Sequence, residues 1–395
     1  MKKIIIFLTI IGISSSNVFG IEEGRLELRK EFLQDQHEKT MLLAEQGDAD
    51  AQYKLVFNYA GGRGVEADMD KAIFWLKKSA KSGNSDAQLD LGIKHYIGKT
   101  EGILKDDNKS IEWIKKSAEQ ENAKAQGRLS TEYALGEIVE KDMVLATYWL
   151  KKAANSGNSD AQYNLAYRYH DGDLVEPDPV KKVEWSTKSA EQGHLLAQNF
   201  LAVLYFSNNY NVQEDLAKSF YWYKKAAEQD DAYAIGQLAG FYANGWGGIE
   251  KDPLKEIELI KKAAELGDAR AQYNLGAAYW DGNGVLKDRS KSLYWYRKSA
   301  NQNLPRAQNI MGHFYKDGLV VEKDLNESFK YWSLASDQDY EAAHGSLAGL
   351  YIFGMGVEKN MSKAKELIEK AYESNDLSIK KRAKKKWEEF ELWKY

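Results

Sequence analysis

The 395-residue chain contains no cysteine. Disulfide bonds, a thiol nucleophile and thiolate metal ligation are therefore all excluded. There are only six histidines (His37, His95, His170, His194, His313 and His344), and none belongs to an HExxH zinc motif. No GxSxG nucleophile elbow and no P-loop occurs, and the glycine clusters Gly61–Gly64 and Gly245–Gly248 need no phosphate to explain them. The residues thus nominate no catalytic group, no metal ligand and no cofactor site. The formal charge is only −4, with no clustered basic face, which argues against nucleic acid as a partner. After residue 20 no apolar run is long enough to span a bilayer.

What the chain has is repetition. The stretch Ala271–Ala300 reads as helix, glycine turn, helix. Ala271, Leu275 and Tyr279 form one stripe of a first helix, and Gly282 and Gly284 lie in the turn. The second helix carries Trp295, then Lys298 and Ala300. The alanine recurs at Ala51, Ala87, Ala125, Ala161, Ala197, Ala234, Ala307 and Ala343. The tryptophan position reads Trp75, Trp113, Trp149, Trp185, Trp222, Leu259, Trp295, Trp332 and Leu367, at spacings of 35 to 38 residues. A lone pair of amphipathic helices cannot bury both apolar faces, so each copy needs neighbours. The period is longer than the 34 residues of a tetratricopeptide repeat, and the excess lies in the intra-repeat turn.

The motifs AQYNLG (Ala271–Gly276), DGNGVLKD (Asp281–Asp288) and YWYRKSA (Tyr294–Ala300) resemble the Sel-1-like repeats, relatives of the tetratricopeptide repeat. AQYNLA (Ala161–Ala166), GGRGV (Gly61–Val65) and FWLKKSA (Phe74–Ala80) are close versions. The expected fold is all-α: a right-handed superhelical α-solenoid of helix–turn–helix repeats with terminal capping helices. Residues 21–46 read as an N-terminal capping helix, 47–373 as nine repeats, and 374–395 as a C-terminal capping helix whose Trp387, Phe390 and Trp393 cover the last repeat while its lysines face water. Turns between repeats place Gly47, Gly83, Gly157, Gly193 and Gly267 at helix C-caps, with Glu121, Asp230, Asn303 and Asp339 elsewhere. Asp48, Asn84, Asn122, Asn158, Asp231 and Asp268 follow as N-cap candidates.

Residues 1–20 combine Lys2 and Lys3, an apolar run from Ile4 to Ile11 and a small-residue end at Gly20. This is the pattern of a secretory signal peptide, too short for a membrane anchor. No cysteine is available for lipid attachment. Cleavage carries the formal charge from −4 to −6 and leaves a periplasmic or secreted chain without an integral membrane segment, monomeric alone.

At 100° per residue, positions two, six and nine after the recurrent alanine point away from its stripe. They hold Tyr53, Phe57, Tyr96, Tyr163, Tyr167, His170, Phe206, Tyr273, Trp280 and His313. In related solenoids first helices line the concave face, so these residues are either anchors for a partner or packing against adjacent repeats. The family resemblance implies an exported bacterial adaptor that binds a protein or peptide, with roles in envelope organisation, host contact or toxin neutralisation. The alternative it raises is a hydrolase acting on cell wall or β-lactams, as suggested for cysteine-rich relatives; the lack of cysteine separates this chain from that branch.

Protein recovered from its bacterial host should begin near Ile21 and lie in the periplasm or medium. N-terminal sequencing that finds an intact Met1 in the cytosolic fraction overturns the export reading.

Overall fold

The computed structural model describes residues 15–100, 102–172 and 175–395; most of the proposed signal peptide lies outside them. Among the described residues there are twenty α-helices and no strand beyond an isolated bridge between Thr100 and Ile103. Helix α1 (Ser15–Glu45) precedes nine pairs. The pairs are α2 (Ala49–Gly61) and α3 (Met69–Lys81), α4 (Ser85–Ile97) and α5 (Asp107–Glu119), and α6 (Ala123–Leu135) and α7 (Met143–Asn155). Then come α8 (Ser159–Asp171) and α9 (Pro179–Glu191), α10 (Leu195–Phe206) and α11 (Leu216–Ala227), and α12 (Ala232–Asn244) and α13 (Pro253–Glu265). The last are α14 (Ala269–Asp281) and α15 (Arg289–Asn301), α16 (Pro305–Asp317) and α17 (Leu325–Ser336), and α18 (Glu341–Phe353) and α19 (Met361–Glu373), followed by α20 (Leu377–Glu389). The helices form two compact units, one through His194 and one from Leu195. In each unit a helix packs on the next in sequence, as an α-solenoid requires.

The boundaries follow from capping. Every second helix starts at an Asp or Asn, from Asp68 to Asn360, whose side chain accepts from a backbone N–H two or three residues on. On first helices the expected caps Asp48, Asn84, Asn122, Asn158, Asp231 and Asp268 do cap; those on second helices are additional to the expected set. Between repeats the backbone turns through the left-handed region. Glu121, Asp230, Asn303 and Asp339 adopt φ of 54° to 62° in place of glycine.

Counting from the second-helix cap corrects one register. Trp75, Trp222 and Trp295 lie seven residues after Asp68, Asp215 and Asp288, but the residue seven after Asp324 is Tyr331. Trp332 belongs to the next column, with Leu76, Ile114, Tyr223 and Tyr296, which is more deeply buried. The tryptophan column itself is mixed: Trp75 and Trp222 are buried, whereas Trp113, Trp149, Trp185 and Trp295 are half-exposed. Lys78, Lys116, Lys188 and Lys298 lay ammonium groups 4.1 to 5.3 Å from the ring centres of Trp75, Trp113, Trp185 and Trp295.

Large residues in the deeper column face small ones on the first helix. A Cβ added to Gly92 would come 2.8 Å from Ile114, and one on Gly276 3.0 Å from Tyr296; at Gly312 it would overlap Trp332. Repeats are joined by a buried amide link. Gln88, Gln162, Gln272 and Gln308 each donate through Nε2 to an alanine carbonyl near the end of the preceding second helix. Each accepts at Oε1 from a glutamine closing the following second helix, Gln120, Gln192, Gln302 and Gln338, at 2.7 to 2.9 Å. Gln229 makes the same bond to Gln198. Where the donor position is Ser82 or Ser156, the buried Oε1 of Gln52 or Gln126 has no partner. In the sixth repeat both positions are apolar, Ile235 and Leu266.

Ser82→Gln and Ser156→Gln should each supply the missing donor and stabilise the chain by about 1 kcal/mol. Gly312→Ala should destabilise it by about 1–3 kcal/mol through overpacking. Thermal or urea melts of the three variants test both statements; opposite signs refute the amide link and the packing account.

Candidate functional site

The ten proposed face residues fall into local clusters, and their environments differ between the two units. In the first unit the rings meet polar groups. Tyr53 Oη donates to Asp90 Oδ2 at 2.5 Å, and its ring packs edge-on against Phe57 with centroids 5.0 Å apart. Burial and then the Asp90 carboxylate push the Tyr53 phenol well above its usual range. Phe57 is 47% exposed. Tyr96 Oη donates to Glu137 at 2.7 Å, under the Arg128 guanidinium 4.7 Å from its ring centre. Arg128 also pairs with the buried Glu132, whose carboxyl is pushed up chiefly by burial.

The third cluster is the largest in this unit. Tyr163 stacks on His194 at 5.0 Å and lies 6.4 Å from Tyr167, which in turn packs against His170 at 6.0 Å. Tyr167 is 46% exposed. His170 Nδ1 lies 3.4 Å from Nζ of the buried Lys182. Burial lowers the pKa of both groups, and for His170 the Lys182 charge lowers it further.

In the second unit the named aromatics pack against other aromatics. Phe206 lies 5.3 Å from Trp246 and 5.8 Å from Phe241. Tyr273 lies 5.3 Å from Tyr296, Trp280 5.2 Å from Phe314, and His313 5.0 Å from Trp332. Tyr273 and Trp280 are packed against a core cluster built on Tyr296, Met311 and Phe314. Position seven after the alanine explains the contrast. It reads Asn58, Lys94, Glu132 and Arg168 in the first unit, but Leu204, Phe241, Ala278, Phe314 and Leu350 in the second.

One sequence signal had been missed. Position two after the alanine runs Tyr53, Leu89, Gly127, Tyr163, Asn199, Gly236, Tyr273, Asn309, Gly345, a period of three repeats. Tyrosines and glycines on this face are therefore placed regularly, not scattered. The glycines open space: a cavity of about 200 Å³ lies beside Gly236 and Gly240, bordered by Trp246, Arg270 and Asn274, and a cavity of about 110 Å³ lies beside Gly345.

These features define an α-solenoid with a side-chain-rich first-helix face. The Sel1 repeat matches nine consecutive segments: 49–84, 85–122, 123–158, 159–194, 195–231, 232–268, 269–304, 305–340 and 342–376. The chain belongs to the Sel1 repeat family. Among solved structures it is similar to a Sel1 repeat protein from Oxalobacter formigenes, at 29% identity over 79% of this chain and 89% of that one, with a TM-score of 0.61. It is also similar to a protective antigen of uropathogenic Escherichia coli strains with the SLR fold, at 30% identity over 88% of this chain and 81% of that one, with a TM-score of 0.50. No curated protein matches it. Sel1 repeat proteins are generally protein-interaction scaffolds.

Burial holds the imidazoles of His313 and His344 below their usual range. Lys316 and Arg382 lower His313 further while Asp317 opposes them, and Lys370 lowers His344 further against Asp339 and Glu341. A group whose folded pKa is depressed in this way contributes stability that is full above the unfolded value of about 6.5 and is lost as pH falls toward the folded value. The melting temperature should therefore drop between pH 7.5 and 5.5. His344→Gln, which restores the residue found at this position in most other repeats, should reduce that drop; an unchanged pH profile contradicts the assignment.

Proposed function

We propose that this chain is an exported, non-catalytic scaffold that holds a protein or an extended peptide on the face lined by its first helices. The observation that carries the reading is the aromatic surface of the first unit, where Phe57 and Tyr167 remain about half exposed beside Tyr53, Tyr163 and His170. Large, rigid rings supported by neighbours are the usual material of interface anchors, because little conformational entropy is lost on binding. The family's general role as a protein-interaction scaffold supports the same reading. Export is supported by the composition of residues 1–20 and by the likeness to a protein described as a protective antigen. The non-catalytic reading is supported by the buried state of a hydrogen-bonded serine–histidine pair: Ser336 and His344 lie 2.8 Å apart but are only 6% and 3% exposed. Among the described residues no group of three or more His, Asp or Glu side chains could hold a metal. We place the mature chain in the periplasm or medium as a monomer that does not engage nucleic acid.

The test is capture of a partner by the mature chain from the cell envelope, its identification by mass spectrometry, and titration against variants. Phe57→Ala and Tyr167→Ala should leave melting within about 1 kcal/mol and weaken binding by about 2 kcal/mol or more. Trp280→Ala should instead lower stability, because its ring packs on Phe314 and under Arg289. Wild-type binding by both exposed-ring variants would move the interface elsewhere.

A further inference from the structure

The face of the last repeat differs from the aromatic one. Gly345 and Gly349 stand where the first repeat has Tyr53 and Phe57, and a Cβ added at Gly345 would meet nothing within 4 Å. The terminal helix α20 turns Arg382 and Lys386 toward this opening. Lysine at 386 had been expected to face water; instead it is half-buried and donates through Nζ to the Gly345 carbonyl at 2.7 Å. Between α18 and α20 lies the cavity of about 110 Å³, several times the roughly 30 Å³ share of one water in the liquid.

Charge in this cavity is unbalanced. Among the described residues neither Arg382 nor Lys386 makes an ion pair; Arg382 Nε donates only to the Ser378 carbonyl, at 3.3 Å. Glu341, the one acid in the lining, already accepts from Ser374 Oγ. Burial, then Lys316 and Arg382, push the Lys386 ammonium down, with Glu389 opposing. Two cations beside a partly desolvated cavity repel each other and would gain from a shared anion. The remaining wall is mostly apolar, formed by Ala342, Ala371, Ile379 and Ala383 with Ser346 the one hydroxyl. A carboxylate with its methylene satisfies both halves; a phosphate dianion would crowd the Gly345 carbonyl and Glu341.

We propose that this cavity binds the carboxylate of a polypeptide, from an acidic side chain or a C terminus, between Arg382 and Lys386. The polypeptide as occupant rests on the scaffold reading, whereas the anion preference rests on the cavity alone.

The experiment uses the full chain and three fluorescein-labelled probes read by anisotropy: pentaalanine with a free C terminus, its C-terminal amide, and Ala-Ala-Asp-Ala-Ala amide. One or both carboxylate probes should bind at least about tenfold tighter than the neutral amide, the factor expected for one charge-assisted hydrogen bond. The tighter of the two names the source. Arg382→Gln, at an exposed position, should weaken that binding about tenfold. Gly345→Asp should abolish it and melt higher than Gly345→Asn, since it supplies the anion internally; this comparison stands even if Lys386→Gln fails to fold. Equal binding of the neutral amide, displacement by inorganic phosphate at the same concentration as the peptide, or no difference between the two Gly345 variants overturns the proposal. A captured partner that binds wild type and Arg382→Gln equally, while losing affinity for Tyr167→Ala, removes the pocket and leaves the scaffold reading intact.

Discussion

Four repeats of this chain are tied to the repeat before them by one buried amide, Gln88, Gln162, Gln272 or Gln308, that both donates and accepts. A glutamine can do this because its carbonyl and NH₂ groups point in different directions from one planar group. It donates to a carbonyl near the end of the preceding second helix and accepts a hydrogen bond from the glutamine that closes the following one. The bond to the alanine carbonyl crosses from one repeat to the one before it, at a place where apolar packing alone would tolerate sliding, while the bond between glutamines ties the two helices of one repeat. The cost of leaving such a group unpaired in the interior, about 1–3 kcal/mol, explains why the two positions change together in the sixth repeat, to Ile235 and Leu266. Gln52 and Gln126, facing serines, show where the same device is incomplete.

Most of the fold could be read from the sequence because its physics is local and repeated. Alanine, leucine and tyrosine at four-residue intervals need no tertiary information to be assigned to one helix face, and positive φ at Asp230 and Asn303 followed from alignment with glycine. The errors came where two columns lie side by side. Tyr331 and Trp332 are both aromatic, so matching by residue type shifted the eighth repeat by one, and only the Asp324 cap sets the register. Burial does not follow from recurrence either. Recurrence shows that a ring has a fixed role, but a ring half-covered by a lysine three residues on recurs as faithfully as one in the core.

The candidate face was less legible. Angular position on a helix says which way a side chain leaves, not what the neighbouring repeat places against it. Trp280 and His313 leave in the same direction as Phe57 and Tyr167, yet Phe314 and Trp332 close over them. The deciding residues lie one position further along the helix, where the first unit is polar and the second apolar. Covering a ring costs a polar residue there its own solvation, which fits the exposure of Phe57 and Tyr167; Glu132 is buried only as the partner of Arg128.

The two ends of the array finish differently, and this difference bears on function. At the start, α1 mimics a second helix: Ala44 is fully buried and its carbonyl accepts from Gln52, as later alanines accept from later glutamines. That end needs only a surface and a carbonyl. At the other end, α20 occupies the place of a tenth first helix, with Ile379, Ala383 and Trp387 at the alanine, leucine and tyrosine positions. A cap needed only for solubility would show charge outward and keep the inner face apolar. Instead Lys386 turns inward, its Nζ over Gly349 and beside the open space at Gly345, and among the described residues it makes no ion pair. Burying an ammonium without an ion-pair partner lowers stability. Its hydrogen bond to the Gly345 carbonyl ties the cap to the last repeat, and the positive charge left over is what the proposed carboxylate would meet.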